Sequence, residues 1–277
     1  MKSKDSFLVK NNYDIIEIIH ESIWKKTRVL KLQKRENFYI AKSISKDSPT
    51  HIRNKFFNEV NYYKNHQYSY LPKYIQSSES ILIIEFIEGK ALRDILKNDV
   101  FNKETFELLA TNIESLYNNS KLEINEINDF NNAFTHLSNL LQSGPIQTKN
   151  YKISSYKLVS NKLILLLLKL KLKWYLSKIS LQELKSGFVH GDLHYNNIII
   201  DAKGDIKFID FENIRYDGFF DFDVMYLYAM LEINIPKDRE ESKLIVYSIN
   251  KLCKNKWLKK IYNLFRYSIS LNNKFSV

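Results

Sequence analysis

Asp192, Asn197 and Asp210 fall within one short run, FVHGDLHYNNIIIDAKGDIKFIDFE, residues 188–212. Asp192 precedes the β-branched stretch NIIID, Asn197 stands at its start, and Asp210 ends the return stretch DIKFID. A turn over Asp201–Asp205, with Gly204 in it, predicts a β-hairpin. Folding back at that turn is expected to bring Asp192 and Asp210 to the same end of the hairpin, with the Asn197 amide oxygen at the first strand's start. Hard oxygen ligands with open positions suit Mg²⁺, which keeps waters and takes its other ligands from substrate phosphates. A carboxylate that is not on the metal can accept the proton of an attacking hydroxyl. Positioning, charge neutralisation and an oriented nucleophile together are what phosphoryl transfer needs.

Elements on both sides must hold these residues in place. The first ninety residues read as strands with one helix. YDIIEIIHE, TRVLKLQ and NFYIAKSI are short, apolar-rich and β-branched. SPTHIRNKFFNEVNYYKNH then carries Ile52, Phe56, Val60 and Tyr63 at helical spacing behind a Ser/Thr start. YLPKYIQSSES and ILIIEFIEG return to strand, ending at Gly89. Helical patterns follow: KALRDILKN, NKETFELLATNIESLYNN, DFNNAFTHLSNLLQS and the long segment 157–186. After the hairpin, helices are expected to finish the chain. An α+β chain results, with a small β-rich lobe over 1–88 and a larger, mostly helical one over 89–277.

Composition narrows the class. At 277 residues the chain can bury a substantial core. Its single cysteine, Cys253, excludes an internal disulfide framework and a cysteine-based zinc site, and fits a reducing, cytoplasmic setting. The first residues, MKSKDSFLVKNNYD, lack the apolar core of a signal peptide. KLILLLLKLKLKWYL, residues 162–176, is uninterruptedly apolar only from Leu163 to Leu168, too short to span a bilayer. On a helical wheel Leu163, Leu166, Leu167, Leu170 and Trp174 share one face and Leu165, Leu168 and Leu172 lie opposite, which predicts a helix buried on two sides. The net charge of +11 is uneven, since residues 242–277 hold eight basic side chains and no acidic one.

HGDLHYNNI followed by IDFE resembles the catalytic and metal-binding loops of the aminoglycoside phosphotransferase and choline kinase group. That resemblance implies a protein-kinase-like two-lobe fold, ATP and Mg²⁺ as cofactors, and a small-molecule or glycan acceptor. It makes Asp192 the catalytic base, and Asn197 and Asp210 the metal ligands. In GFFDFDVMYLYAM, Asp223, rather than its neighbour Asp221, matches the aspartate that braces the catalytic loop. His190 becomes a structural member of that loop, and His194 a loop side chain satisfied by backbone. For the nucleotide, Lys42 in FYIAKSI matches the lysine on the α/β-phosphates and Glu59 its helical partner. Lys42 is expected to face the cleft, so that its loss weakens catalysis and little else. The backbone around Glu85–Ile87 would form the adenine-binding hinge, with Gly89 after it.

One departure stands out: no glycine lies between residues 13 and 40, so IIHESIWKKTRVL cannot form a glycine-rich phosphate loop. Ser22 and Ile23 would supply backbone N–H groups there, and Lys25 or Lys26 a charge. A Ser/Thr protein kinase fits less well, since only residues 213–218 separate IDFE from FFDFDV and leave no room for an activation loop. A nucleotide-binding pseudokinase would more often have lost one of Asp192, Asn197 and Asp210. Acceptor contacts are expected from helices in 101–186 and beyond 225. KLEINEIND, residues 121–129, would suit a cationic acceptor, whereas the basic surplus favours anionic sugars such as a lipopolysaccharide core or another cell-surface glycan. No nucleic-acid partner is expected.

The tail has two readings. Trp257, Ile261, Leu264 and Phe265 form one helical face, and Lys256, Lys259, Lys260 and Arg266 cluster on the other. Either the apolar face docks on the large lobe with its lysines in water, or the basic segment also makes peripheral contact with an anionic membrane or glycolipid.

Overall fold

The structure is a computed structural model and describes residues 6–97, 101–119, 134, 155–180 and 184–275. The expected helix over 129–143, residue 134 apart, and the acidic stretch 121–129 lie outside the described residues. By packing, the chain divides into two units, residues 1–90 with 198–214, and residues 91–197 with 215–277. The hairpin that carries Asp210 thus belongs to the first unit.

In that unit a short helix, α1 (Ser6–Lys10), leads into β1 (Asp14–Ser22), β2 (Thr27–Lys34) and β3 (Asn37–Ile44). Helix α2 (Thr50–Asn65) follows, then β4 (Tyr74–Ser77) and β5 (Ile81–Glu85). The five strands form one sheet in the order β1-β2-β3-β5-β4. Their β-branched and aliphatic residues bury one cluster, Leu8, Tyr13, Leu30, Leu32, Ala41, Ile81 and Ile83. Helix α2 starts at Pro49 rather than at a Ser or Thr cap, and no side chain caps its first turn. Proline suits that place because the first turn has no use for its missing N–H.

The hairpin forms where the turn signal put it. Strand β8 (Ile198–Asp201) pairs antiparallel with β9 (Ile206–Phe208), and β6 (Gly89–Ala91) flanks β8. The Asp201 carboxylate closes the turn by accepting the N–H groups of Lys203 and Asp205 at 2.8 and 2.9 Å. Gly89 is where the hinge crosses this hairpin. A Cβ there would stand 2.3 Å from the Ile200 carbonyl oxygen, so the crossing admits no side chain.

In the second unit, α3 (Leu92–Lys97) and α4 (Lys103–Asn119) precede α5 (Ser155–Leu176). A strand pair that the sequence reading missed, β7 (Ser186–Val189) with β10 (Arg215–Phe219), brackets the hairpin in sequence. So the long helical segment ends at Leu176, and the chain has turned to strand by Ser186. Helices α6 (Phe220–Asn234), α7 (Glu240–Leu252) and α8 (Lys256–Phe275) complete the chain. Helix α6 is buried almost all round, and α8 packs against both it and α5.

Helix α5 departs from its expected burial on two sides. Leu168, Leu172 and Leu176 are buried, but Leu163, Leu166, Leu167, Leu170 and Trp174 are each 49–57% exposed. In the tail, the docking reading holds for the apolar face: Ile261 and Phe265 are fully buried and Leu264 nearly so. Among the described residues no helix is long and apolar enough to cross a membrane.

Candidate active site

Within the first unit, three carboxylates converge on one ammonium. Lys42 lies on β3, between Val29 of β2 and Leu82 of β5. Its Nζ donates to Glu59 Oε2 at 2.7 Å, to Asp210 Oδ1 at 2.8 Å and to Glu212 Oε2 at 2.8 Å. Glu59 comes from the buried face of α2. Asp210 and Glu212 come from the 3₁₀ turn Phe211–Asn213 after β9. Phe211 anchors that turn by stacking on Tyr62 at 4.3 Å between ring centres and meeting Tyr63 edge-on at 5.6 Å. One aromatic side chain thereby sets both acidic neighbours. Asp210 itself has φ 65° and ψ 61°, a left-handed conformation rare for a residue with a side chain. Such backbone persists where surrounding packing over-determines it, here through Phe211.

Burial works against charge on both members of the central pair. It would lower Lys42, but Glu59, Asp210 and Glu212 together hold its pKa well above the ordinary lysine value. Glu59 is pushed up to about 7 by burial, against the pull of Lys42. With three carboxylates against one close lysine, the buried one is the first to take a proton. A second lysine stands farther out, with Lys25 Nζ 3.9 Å from Glu212 Oε1.

The other residues expected to meet phosphate lie in the β1–β2 turn. Ser22 Oγ accepts the N–H of Lys25 at 3.3 Å, so the serine organises the turn that a glycine-rich loop would otherwise form. Ile23 at its tip is 89% exposed. Lys26 has φ 53°, and its carbonyl accepts from the Ser45 N–H and the Ser48 hydroxyl. Lys25, not Lys26, is the one whose ammonium reaches the carboxylate cluster. At the hinge, Glu85 donates its N–H to the Lys73 carbonyl and takes the Lys73 N–H on its side chain. A cavity of about 550 Å³ borders Glu85 and Ile87, but Lys42, Glu59 and Asp210 do not line it.

In the second unit, the residues expected to form the catalytic loop hold one another. Gly191 has φ 77°, and its N–H donates to the buried Asp223 Oδ2 at 3.1 Å. Asp221, two residues earlier on α6, serves elsewhere by accepting the Lys185 N–H at 2.8 Å. His190 is fully buried. Asn197 is buried at the end of the 3₁₀ turn Tyr195–Asn197, and its amide nitrogen donates to the Asp192 carbonyl at 3.0 Å. That bond fixes the amide's orientation and reserves Oδ1 as the acceptor a cation would use.

His194 does more than the expected loop duty. Its Nδ1 accepts the Asn196 N–H at 3.1 Å, so in the neutral ring Nε2 carries the hydrogen. Nε2 stands 3.5 Å from Asp192 Oδ1, at the long edge of hydrogen-bond range. Sequence reasoning likewise passed over Glu212, although its place two residues after Asp210 in IDFE was a usable signal.

The donor chemistry fits Mg²⁺. Glu59, Asp210 and Glu212 offer oxygens within 4.8 Å of one another, an all-oxygen set of the sort hard cations take. Lys42 bonds all three, but Glu59 is buried, so the half-buried Asp210 and Glu212 are the accessible members.

Residues 147–247 match the model of the phosphotransferase enzyme family. That match spans 101 of the chain's 277 residues and takes in the HGDLH and IDFE motifs. Similar solved structures include an aminoglycoside phosphotransferase from Streptomyces rimosus, at 13% identity and a TM-score of 0.54, covering 95% of this chain and 96% of that one. A choline kinase from Streptococcus pneumoniae is similar at 12% identity and 0.52, covering 97% and 89%. An ethanolamine kinase from Plasmodium vivax follows at 16% and 0.51, covering 95% and 74%. No protein of curated function matches the sequence. At such identities the structures establish the fold, which is the kinase-like α+β fold expected above. Together with the family match they bear out the resemblance to aminoglycoside phosphotransferases and choline kinases, and with it an enzyme of the phosphotransferase type.

Proposed function

We propose that this chain transfers the γ-phosphoryl group of ATP to a hydroxyl of a small molecule or glycan. The observation that carries the reading is the lysine held by a helix glutamate and by the aspartate after the hairpin, in a chain whose catalytic loop carries Asp192. In this reading Lys42 orients the α/β-phosphates while Glu59 holds it in place, and the hinge backbone around Glu85–Ile87 takes the adenine. Ser22, Ile23 and Lys25 cover the phosphates in place of a glycine-rich loop. Asn197 and Asp210 hold Mg²⁺, Glu212 being close to Asp210, and the ion neutralises charge on the phosphates. Asp192 accepts the acceptor hydroxyl's proton, and Asn197 and His194 fix its orientation. Asp223 and His190 keep the loop in shape.

The acceptor we favour is a sugar or glycan, because the basic surplus suits anionic sugars such as a lipopolysaccharide core or another cell-surface glycan. The test is a screen of MgATP consumption over sugars, phosphorylated and acidic glycans, aminoglycosides, choline and ethanolamine, with mass analysis of each product. A hydroxylated acceptor gaining one phosphoryl group supports the reading. ATP binding with no acceptor phosphorylated, or modification of protein serines alone, would sink it.

A further inference from the structure

Helix α5 is apolar on two opposite sides, yet among the described residues only one of them is covered. Leu168, Leu172 and Leu176 are buried, while Leu163, Leu166, Leu167, Leu170 and Trp174 form an exposed stripe. At 1.5 Å per residue the stripe runs about 16 Å along the helix. Lys171 and Lys173, both exposed, flank it, about 80° to either side of its centre on the helical wheel. The stripe continues onto α8. Trp174 meets Trp257 edge-on at 5.2 Å between ring centres, and Lys260 lies over Trp257, Tyr175 and Trp174 at 4.7, 5.5 and 5.6 Å. Lys256 also lies over Trp257, at 5.0 Å. Exposed Lys256, Lys259 and Lys260 make the outer face of α8 basic. Neither helix contains a single acidic residue.

We infer that the α5 stripe and the basic face of α8 form one docking surface for an anionic lipid bilayer. A row of leucines seeks hydrocarbon, tryptophan seeks the headgroup boundary, and flanking lysines reach back to anionic headgroups along their own stems. Nucleic acid would use the lysines but leave the leucines in water. The lysines would repel one another across an interface between two copies, whereas an anionic surface satisfies both halves. The helix lies in the surface rather than crossing it, consistent with its lysines and its short apolar run. The surface stands independently of the phosphotransfer reading, because vesicle binding needs no acceptor.

The test is co-sedimentation of the full chain with vesicles of phosphatidylcholine alone, or with about one-third phosphatidylglycerol, at low and high salt. The expected result is binding to the anionic vesicles alone, weakened by salt. Leu166→Gln/Leu170→Gln and Lys256→Glu/Lys260→Glu should each weaken it by roughly tenfold or more. Lys64→Glu on α2 serves as the charge control and should leave it unchanged. The leucine variant alters exposed side chains, so its circular dichroism and melting should match the wild type. Failure to bind anionic vesicles overturns the inference. So does binding that the leucine variant leaves intact, or a concentration-dependent dimer that the leucine variant dissolves without any vesicle binding.

Discussion

At the scale of single residues, Lys42, proposed to orient phosphates, is also a structural cation. It was expected to face the cleft and contribute little to the fold. Instead it is only 17% exposed and satisfies Glu59, which is 4% exposed. Removing one partner of a buried pair leaves an uncompensated charge, at a cost of about 3–5 kcal/mol. Lys42→Ala should therefore lower the denaturation midpoint in urea, and Glu59→Gln in the same chain should recover part of the loss. The sign of the pH effect at Glu59 follows from its raised pKa. Between the ordinary glutamate value and about 7 the folded state binds the proton that the unfolded state has released, so stability falls as pH rises through that window. The loss amounts to at most about 3 kcal/mol and levels off above it. With EDTA present, the wild type should lose stability from pH about 5 to about 7, and Glu59→Gln should lack that slope. A wild type whose stability is flat across the window would contradict the assignment. For the metal, Asp210→Ala should abolish transfer, whereas added Mg²⁺ should rescue Asn197→Ala more readily. Full wild-type activity in excess EDTA would remove the metal from the account.

Secondary-structure elements explain how much of this site was legible beforehand. The 188–212 hairpin could be read because its period, its turn residues and its polar ends all point one way. Lys42 and Glu59 were legible only through resemblance, since a strand lysine and a helix glutamate carry no local sign that they meet. Glu212 was missed because its role depends on Phe211 packing against Tyr62 and Tyr63, a tertiary fact. The strands β7 and β10 were missed for a similar reason. Each is short, and their glycines, Gly187 and Gly218, weaken the strand signal. Gly218 is needed there, because a Cβ would stand 2.7 Å from a Val189 methyl group. The burial of α5 was misjudged because a helical wheel shows two apolar faces but not which neighbours cover them. Two element-level substitutions test the supports. Gly89→Ala should cost about 1–3 kcal/mol, because its Cβ meets backbone rather than a flexible side chain. Asp223→Ala strands the Gly191 N–H and should cost about 1–3 kcal/mol. It should also lower turnover more than it raises the Michaelis constant for ATP. If urea melts of both variants overlay the wild type, the braces assigned to hinge and loop are wrong.

For the whole molecule, the chemistry is divided between two packed units. The first holds the Lys42–Glu59–Asp210–Glu212 cluster and the segment proposed as the hinge, and the second holds Asp192, Asn197 and the loop that supports them. In the proposed function the first serves the nucleotide and the second the attacking hydroxyl, so binding and transfer are separable by mutation. The most direct measurement follows label from γ-labelled ATP into the acceptor found by the screen, for wild type and Asp192→Asn, alongside nucleotide affinity. Asn keeps the shape of the side chain and removes its basicity. The account predicts transfer slowed by roughly 10²–10⁴-fold with nucleotide affinity little changed. Transfer by Asp192→Asn at nearly the wild-type rate would contradict it.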